Sequence, residues 1–142
     1  MSEITVKHEL DPHCTGGKFK ELFKFDSLSS IMYMLNKNEF TVFHKLKDND
    51  EIWYLIEGCP IIIHTFIKGE YKKFILNEFN NEYRILKNTY FAVENMEKDS
   101  YSLSVCLIKP SMDWDKMIIP KRSEMLSLFP EQKELITRLT SN

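Results

Sequence analysis

"FHKLKDNDEIWYLIEGCP", residues Phe43–Pro60, holds two alternating segments around a polar turn. Extended upstream to Phe40, the first segment places Phe40, Val42, His44 and Leu46 on one face. Lys47–Asp50 is polar and reads as the turn. The second segment places Glu51, Trp53, Leu55 and Glu57 on one face and Ile52, Tyr54 and Ile56 on the other, and Gly58-Cys59-Pro60 ends it. Side chains alternate across a strand with a period of two. The pattern therefore predicts neighbouring strands whose His44 and Glu51 both point inward. A buried imidazole beside a buried carboxyl admits three readings: part of a metal site, an acid/base pair, or a polar tie between strands.

Outward from this stretch the chain stays rich in short strands. Ser29–Lys37 reads as a strand. Ile61–Ile67 runs into Lys68-Gly69, a two-residue hairpin turn, and returns as Tyr71–Leu76. Polar turns separate Tyr83–Glu94 and Tyr101–Ile108. From about Ser123 to Leu139 the period changes to that of a helix, with Pro130 suited to a first helical position. These signals predict an all-β sandwich or barrel with one or two short C-terminal helices.

With 142 residues and 43% of them hydrophobic, the chain suffices for one domain over residues 1–142 with its own core. A net charge of −2 gives no basic surface for nucleic acid or an anionic membrane. Apolar runs such as Ile61–Ile63 are far short of the ~20 residues a membrane span needs. Met1–Leu10 lacks the apolar stretch of a secretion leader. Cys14, Cys59 and Cys106 are odd in number and lack CxxC spacing, so free buried thiols and a cytoplasmic setting are expected.

Several motifs resemble the cupins, small jelly-roll barrels. In the first cupin motif His44 stands at the first histidine, Leu46 at the second, Glu51 at the glutamate, Gly58 at the closing glycine and Asn38 at the leading one. In the second motif Leu86, Asn88 and Phe91 stand where proline, glycine and histidine would be. "LDPHCTGGKFKE" (Leu10–Glu21), "FHKLKDNDEIW" (Phe43–Trp53), "PSMDWDKM" (Pro110–Met117) and "ELITRLT" (Glu134–Thr140) resemble, in order, the motifs of domain-of-unknown-function family 985, also called cupin 5. Thr15 replaces an acid of that pattern, Glu82 lies near its glutamine, and Tyr90 stands at its tryptophan.

The resemblance implies a cupin jelly-roll, a homodimer and a ligand site in the barrel. Cupin-form sugar-nucleotide epimerases and ketoisomerases keep a histidine at the His44 position and need no metal. They suggest an isomerase or epimerase acting on a carbohydrate-like or nucleotide-linked ligand. His44 would be the base, with Glu51 or Glu82 orienting it or serving as a second acid. His13, Trp53, Tyr54 and Tyr90 are the candidate ligand-binding residues, the aromatic ones by stacking on a ring. No cofactor is expected; a divalent metal, if present, would fall to His44, Glu51 and Glu82. The alternative function is a non-catalytic cupin that binds or sequesters a small ligand. His64, in an apolar strand, is expected to be a satisfied core histidine.

Overall fold

A computed structural model of the chain describes residues 10–141. Met1–Glu9, within the stretch read as lacking a leader, lies outside the described residues. The strands are β1 (Asp11–Pro12), β2 (Lys18–Lys24), β3 (Ser29–Leu35), β4 (Lys45–Leu46), β5 (Asp50–Gly58), β6 (Ile61–Ile67), β7 (Glu70–Leu76), β8 (Glu82–Ile85), β9 (Phe91–Asn95), β10 (Ser102–Lys109) and β11 (Met117–Ile118). Two short helices follow, α1 (Arg122–Leu128) and α2 (Lys133–Arg138). Pro130 opens the 3₁₀ turn Pro130–Gln132 that leads into α2. No helix among the described residues is long and apolar enough to cross a membrane.

One antiparallel sheet has the order β1-β2-β3-β10-β5-β8, and a second has the order β7-β6-β9. Single bridges Phe40–Glu94 and His44–Phe91 lay the 40–44 segment along the free side of β9. The sheets face each other as a jelly-roll sandwich. Ile31, Tyr33, Leu35, Trp53, Leu55 and Cys106 of the first meet Ile61, Ile63, Phe91 and Val93 of the second in the main core. A second core lies on the outer face of β6 and β9, where Met125, Ile136 and Leu139 cover Phe43, Phe66 and Ala92. That sheet is therefore covered on both faces, which explains why Ile63, His64, Thr65 and Phe66 of β6 are buried in succession.

The alternation of β5 holds where it positions the site. Glu51, Trp53 and Leu55 are buried, while Ile52 and Tyr54 are half-buried on the other face. It fails at Glu57, which is exposed, because a bulge opposite Leu103 and Ser104 shifts the register by one residue. The Lys68-Gly69 turn is as expected, with φ of 52° and 80°. The Phe40–Leu46 strand is not: only Lys45–Leu46 is regular, and Thr41 and Phe43 are as buried as His44 and Leu46. The helices explain this, since Phe43 packs under them and its N–H donates to the Leu139 carbonyl at 2.8 Å. Cys59 and Cys106 are free and buried, but Cys14 is exposed on the loop after β1.

His64 is a satisfied core histidine. Its Nε2–H donates to Glu94 at 2.5 Å and its Nδ1 meets the Tyr71 hydroxyl at 2.8 Å. Arg138 of α2 grips the same carboxylate through both oxygens, at 2.6 and 3.1 Å. Burial alone would raise the Glu94 pKa, but these hydrogen bonds hold it at about 2. The ion pair thus fastens α2 to the second sheet.

Candidate functional site

His44 and Glu51 do not sit on paired strands. The backbone of His44 exchanges two hydrogen bonds with Phe91, whereas Glu51 stands in β5 between Ile108 and Ile85. The two side chains reach a common cavity from opposite sheets. Both point inward, 4% and 6% exposed. His13 arrives from the loop after β1, and Trp53 follows Glu51 with the same parity. Ile31, Tyr33, Leu46 and Ile108 complete the walls. Met112, Trp114 and Met117 close the outer end, and Met117 is held beside Leu46 by the β4–β11 pairing. The space enclosed is about that of one water molecule.

The imidazole of His44 stacks on Phe91 with ring centres 4.3 Å apart. Its Nδ1 donates to the Val42 carbonyl at 2.8 Å, because a carbonyl can only accept. Nε2 is left without a proton and without a hydrogen-bond partner among the described residues. Burial lowers the His44 pKa to about 4, against the opposing pull of that carbonyl. Burial raises the Glu51 carboxyl to about 7. The Trp53 indole lies near enough to ease that rise but outside hydrogen-bond geometry, so Glu51 Oε2 and Trp53 Nε1 are both buried and unpartnered. His13 is held near 3 by burial, with His44 adding a smaller push. The site therefore contains two neutral imidazoles and one carboxyl poised near neutrality.

The other named residues lie elsewhere. Glu82 is exposed on β8, in register with Tyr54, so both belong to the outer face of the sheet. The motif position that suggested Glu82 does not survive the strand parity. Tyr90 packs on the second core, under the ammonium of Lys45 at 4.4 Å. Besides the aliphatic Ile31 and Ile108, four wall residues have no role in the sequence reading: Tyr33, Met112, Trp114 and Met117. Tyr33 shares the parity of Ile31 and Leu35, the signal that was available for it. Met112, Trp114 and Met117 lie in the "PSMDWDKM" motif, whose match carried no role. Thr15 touches His13, as described below.

The donor set does not fit a metal. Among the described residues no three His, Cys, Asp or Glu side chains are grouped to hold one ion. Leu46 lines the cavity and Phe91 stacks on His44, so the two positions that would complete a cupin ligand set carry hydrocarbon.

A family model described as "Cupin superfamily (DUF985)" matches residues 2–119. The chain belongs to this cupin family. The cupin sandwich superposes on protein SO0799 from Shewanella oneidensis with a TM-score of 0.92 and 22% identity, covering 99% of this chain and 96% of that one. A hypothetical protein from Leishmania major gives 0.87 and 19%, covering 100% and 99%. Capsular polysaccharide assembling protein CapF from Staphylococcus aureus gives 0.63 and 13%, covering 76% of this cupin and 32% of CapF. At these identities the likeness is one of fold. Among curated proteins, none matches the chain.

Proposed function

We propose that this cupin takes a small carbohydrate-like molecule at the His13–His44–Glu51 cavity and isomerises or epimerises it by metal-independent proton transfer. The observation that carries this reading is the buried Glu51 carboxyl, whose Oε2 has no hydrogen-bond partner, lining one cavity with His44, whose Nδ1 is taken by the Val42 carbonyl. A carboxyl kept only to tie strands would have its oxygens satisfied. His44 Nε2 takes the proton from the carbon beside a carbonyl. Protonated Glu51 gives its proton to the carbonyl oxygen, forming an enediol, and the reverse transfers return both protons at exchanged positions. Among the described residues no Lys or Arg lines the cavity, so the part of the ligand that enters is uncharged and any phosphate or nucleotide stays outside. The likeness to a capsular polysaccharide assembling protein agrees with a sugar-like ligand.

Entry requires the 111–118 segment to lift. Its ties are the Asn49 amide on Pro110 and Ser111, the Ser111 N–H on the Asp26 carbonyl, the Met112 N–H on the Ser29 hydroxyl, an exposed Lys116–Asp48 pair, the two-residue β4–β11 pairing, the Cys14 thiol on the Met117 sulfur, the packing of Met112 and Met117 on Leu46 and Ile108, and Trp114 resting on His13 and Phe19. The narrowness of the closed cavity favours a second reading, a cupin that holds a small ligand without turning it over. The homodimer belongs to the same proposal, supported by Leu22, Phe23 and Phe25 exposed on and beside the outer part of β2.

Incubation with neutral aldoses and ketoses in heavy water separates the readings. An isomerase replaces the hydrogen beside the carbonyl with deuterium, which proton NMR reads as loss of that signal. His44→Ala is expected to abolish the exchange while costing about 1–3 kcal/mol of stability for the orphaned Val42 carbonyl. The exchange rate should rise through pH about 4, as His44 loses its proton, and fall above about 7, as Glu51 loses its own. Thermal shifts without exchange would favour the binder; neither shift nor exchange would overturn both readings.

A further inference from the structure

His13 is the polar wall residue to which the proton transfer above assigns no task. Its surroundings are unusual for an imidazole. Three aromatic rings enclose it: Phe19, Tyr33 and Trp114, with ring centres 4.9–5.2 Å away. Its polar contacts all fall on one nitrogen. The backbone N–H of Thr15 points at Nδ1 from 3.1 Å, and the Thr15 hydroxyl lies 2.8 Å from the same atom. A backbone N–H can only donate, so Nδ1 carries a lone pair and the ring proton sits on Nε2. Tyr33 supports the arrangement from behind. Its hydroxyl donates to the Gly16 carbonyl and lies 3.1 Å from Thr15 Oγ1, leaving the Thr15 hydroxyl proton for His13. Thr15 is 2% exposed, so water does not compete for these bonds.

His44 is set the opposite way, with its proton on Nδ1 and its lone pair on Nε2. Among the described residues neither Nε2 has a hydrogen-bond partner. We propose that Thr15 is a positioning residue that fixes His13 as the Nε2–H tautomer, making His13 the hydrogen-bond donor of the cavity opposite the acceptor nitrogen of His44. A ligand with a carbonyl beside a C–H or O–H group meets both needs at once: its oxygen accepts from His13 while its hydrogen faces His44. A neutral imidazole in this role stabilises a developing oxyanion without giving up its proton. The low pKa of His13 agrees, since the ring stays neutral across the working range.

This role rests on the proposed proton transfer, but its test does not. Long-range ¹⁵N–¹H spectra of protein labelled in histidine report which ring nitrogen carries the proton, without any ligand. Signals are assigned by loss in His13→Gln and His44→Gln. At pH 7 the wild-type protein is expected to show His13 protonated on Nε2 alone and His44 on Nδ1 alone. In Thr15→Val the hydroxyl donor is lost while the backbone N–H still points at Nδ1, so the His13 proton is expected to stay on Nε2 and the Nδ1 signal to move downfield, toward that of an unbonded lone pair. His13 protonated on Nδ1, or on both nitrogens, in the wild-type protein would overturn the assignment even if isomerase activity were found. An Nδ1 signal unchanged in Thr15→Val would overturn the role of the Thr15 side chain, and Thr15→Ser, which keeps the hydroxyl, should retain the wild-type signal.

Discussion

Glu51→Met is expected to stabilise the protein at pH 8 by about 3 kcal/mol while removing its proton-transfer chemistry. The carboxyl titrates at 4.5 ordinarily and at about 7 in the fold. A difference of that size corresponds to roughly 3 kcal/mol. Because the folded value is the higher one, the folded state holds its proton more tightly. Stability from this group is complete below pH 4.5 and lost as pH rises through 7. At pH 8 the protein carries the whole cost of a buried, unpaired carboxylate. Methionine has similar length and no polar atom, so it fills the same space between Trp53, Ile108 and Leu46 and strands no partner. Urea unfolding at several pH values checks this. The gain should be near zero at pH 4.5 and largest at pH 8, worth roughly 6–12 °C in melting temperature. An equal loss of stability at every pH would mean that the carboxyl is a satisfied structural group.

Gly16→Ala is expected to cost at least about 3 kcal/mol and to disorganise the His13 side of the cavity. Gly16 has φ of +116°, and a Cβ there would lie 2.1 Å from the Phe40 carbonyl oxygen. The collision is not easily relieved, because the Phe40 oxygen is backbone and the Cβ is fixed rigidly to the Gly16 backbone. The turn is pinned throughout: Gly16 N–H to the His13 carbonyl at 3.0 Å, His13 N–H to Gly17 at 2.9 Å, and Val42 N–H to Thr15 at 2.8 Å. Backbone strain of this kind costs about 1–3 kcal/mol before the collision is counted. Displacing the turn also moves Thr15, and with it the contacts that orient His13. Gly69→Ala is the control. Gly69 also has positive φ, +80°, but nothing lies within 4 Å of its added carbon. It should cost only about 1–2 kcal/mol, for the left-handed conformation alone. Equal losses at the two positions would remove the close approach at Phe40 as the cause.

Much of the sandwich could be read from local pattern. Trp53 and Leu55 flank Tyr54 with the alternation of a half-buried strand, and Lys68-Gly69 is a turn that two residues specify. The reading failed where a distant element changed the rule. Phe40–Leu46 has the alternation of a strand with one buried face, but α1 and α2 bury Phe43 from the other side, and no pattern within the segment announces them. His44 pairs with β9, not β5, and such pairing joins residues 47 positions apart. The inward orientation of His44 and Glu51 was nonetheless correct, because parity is local even when partnership is not. Glu82, Tyr54 and Tyr90 were chosen for motif position or side-chain type; the β5–β8 register and the second core place them outside the cavity. Thr15 could not be found from sequence, since its role lies in the direction of one N–H bond.

Glu51 and Glu94 pull stability in opposite directions with pH. Glu94, held at about 2, contributes stability that is present above 4.5 and lost as pH falls toward 2. The contribution of these two groups together therefore peaks near pH 4.5. The carbon-13 carboxyl titration of Glu51 in the folded protein, assigned by loss of its signal in Glu51→Met, tests the site most directly. A midpoint near pH 7 is expected if Glu51 is the buried, unpartnered acid of a proton-transfer cavity. A midpoint between 4 and 5 would show a solvated or satisfied carboxyl and contradict the proposed site.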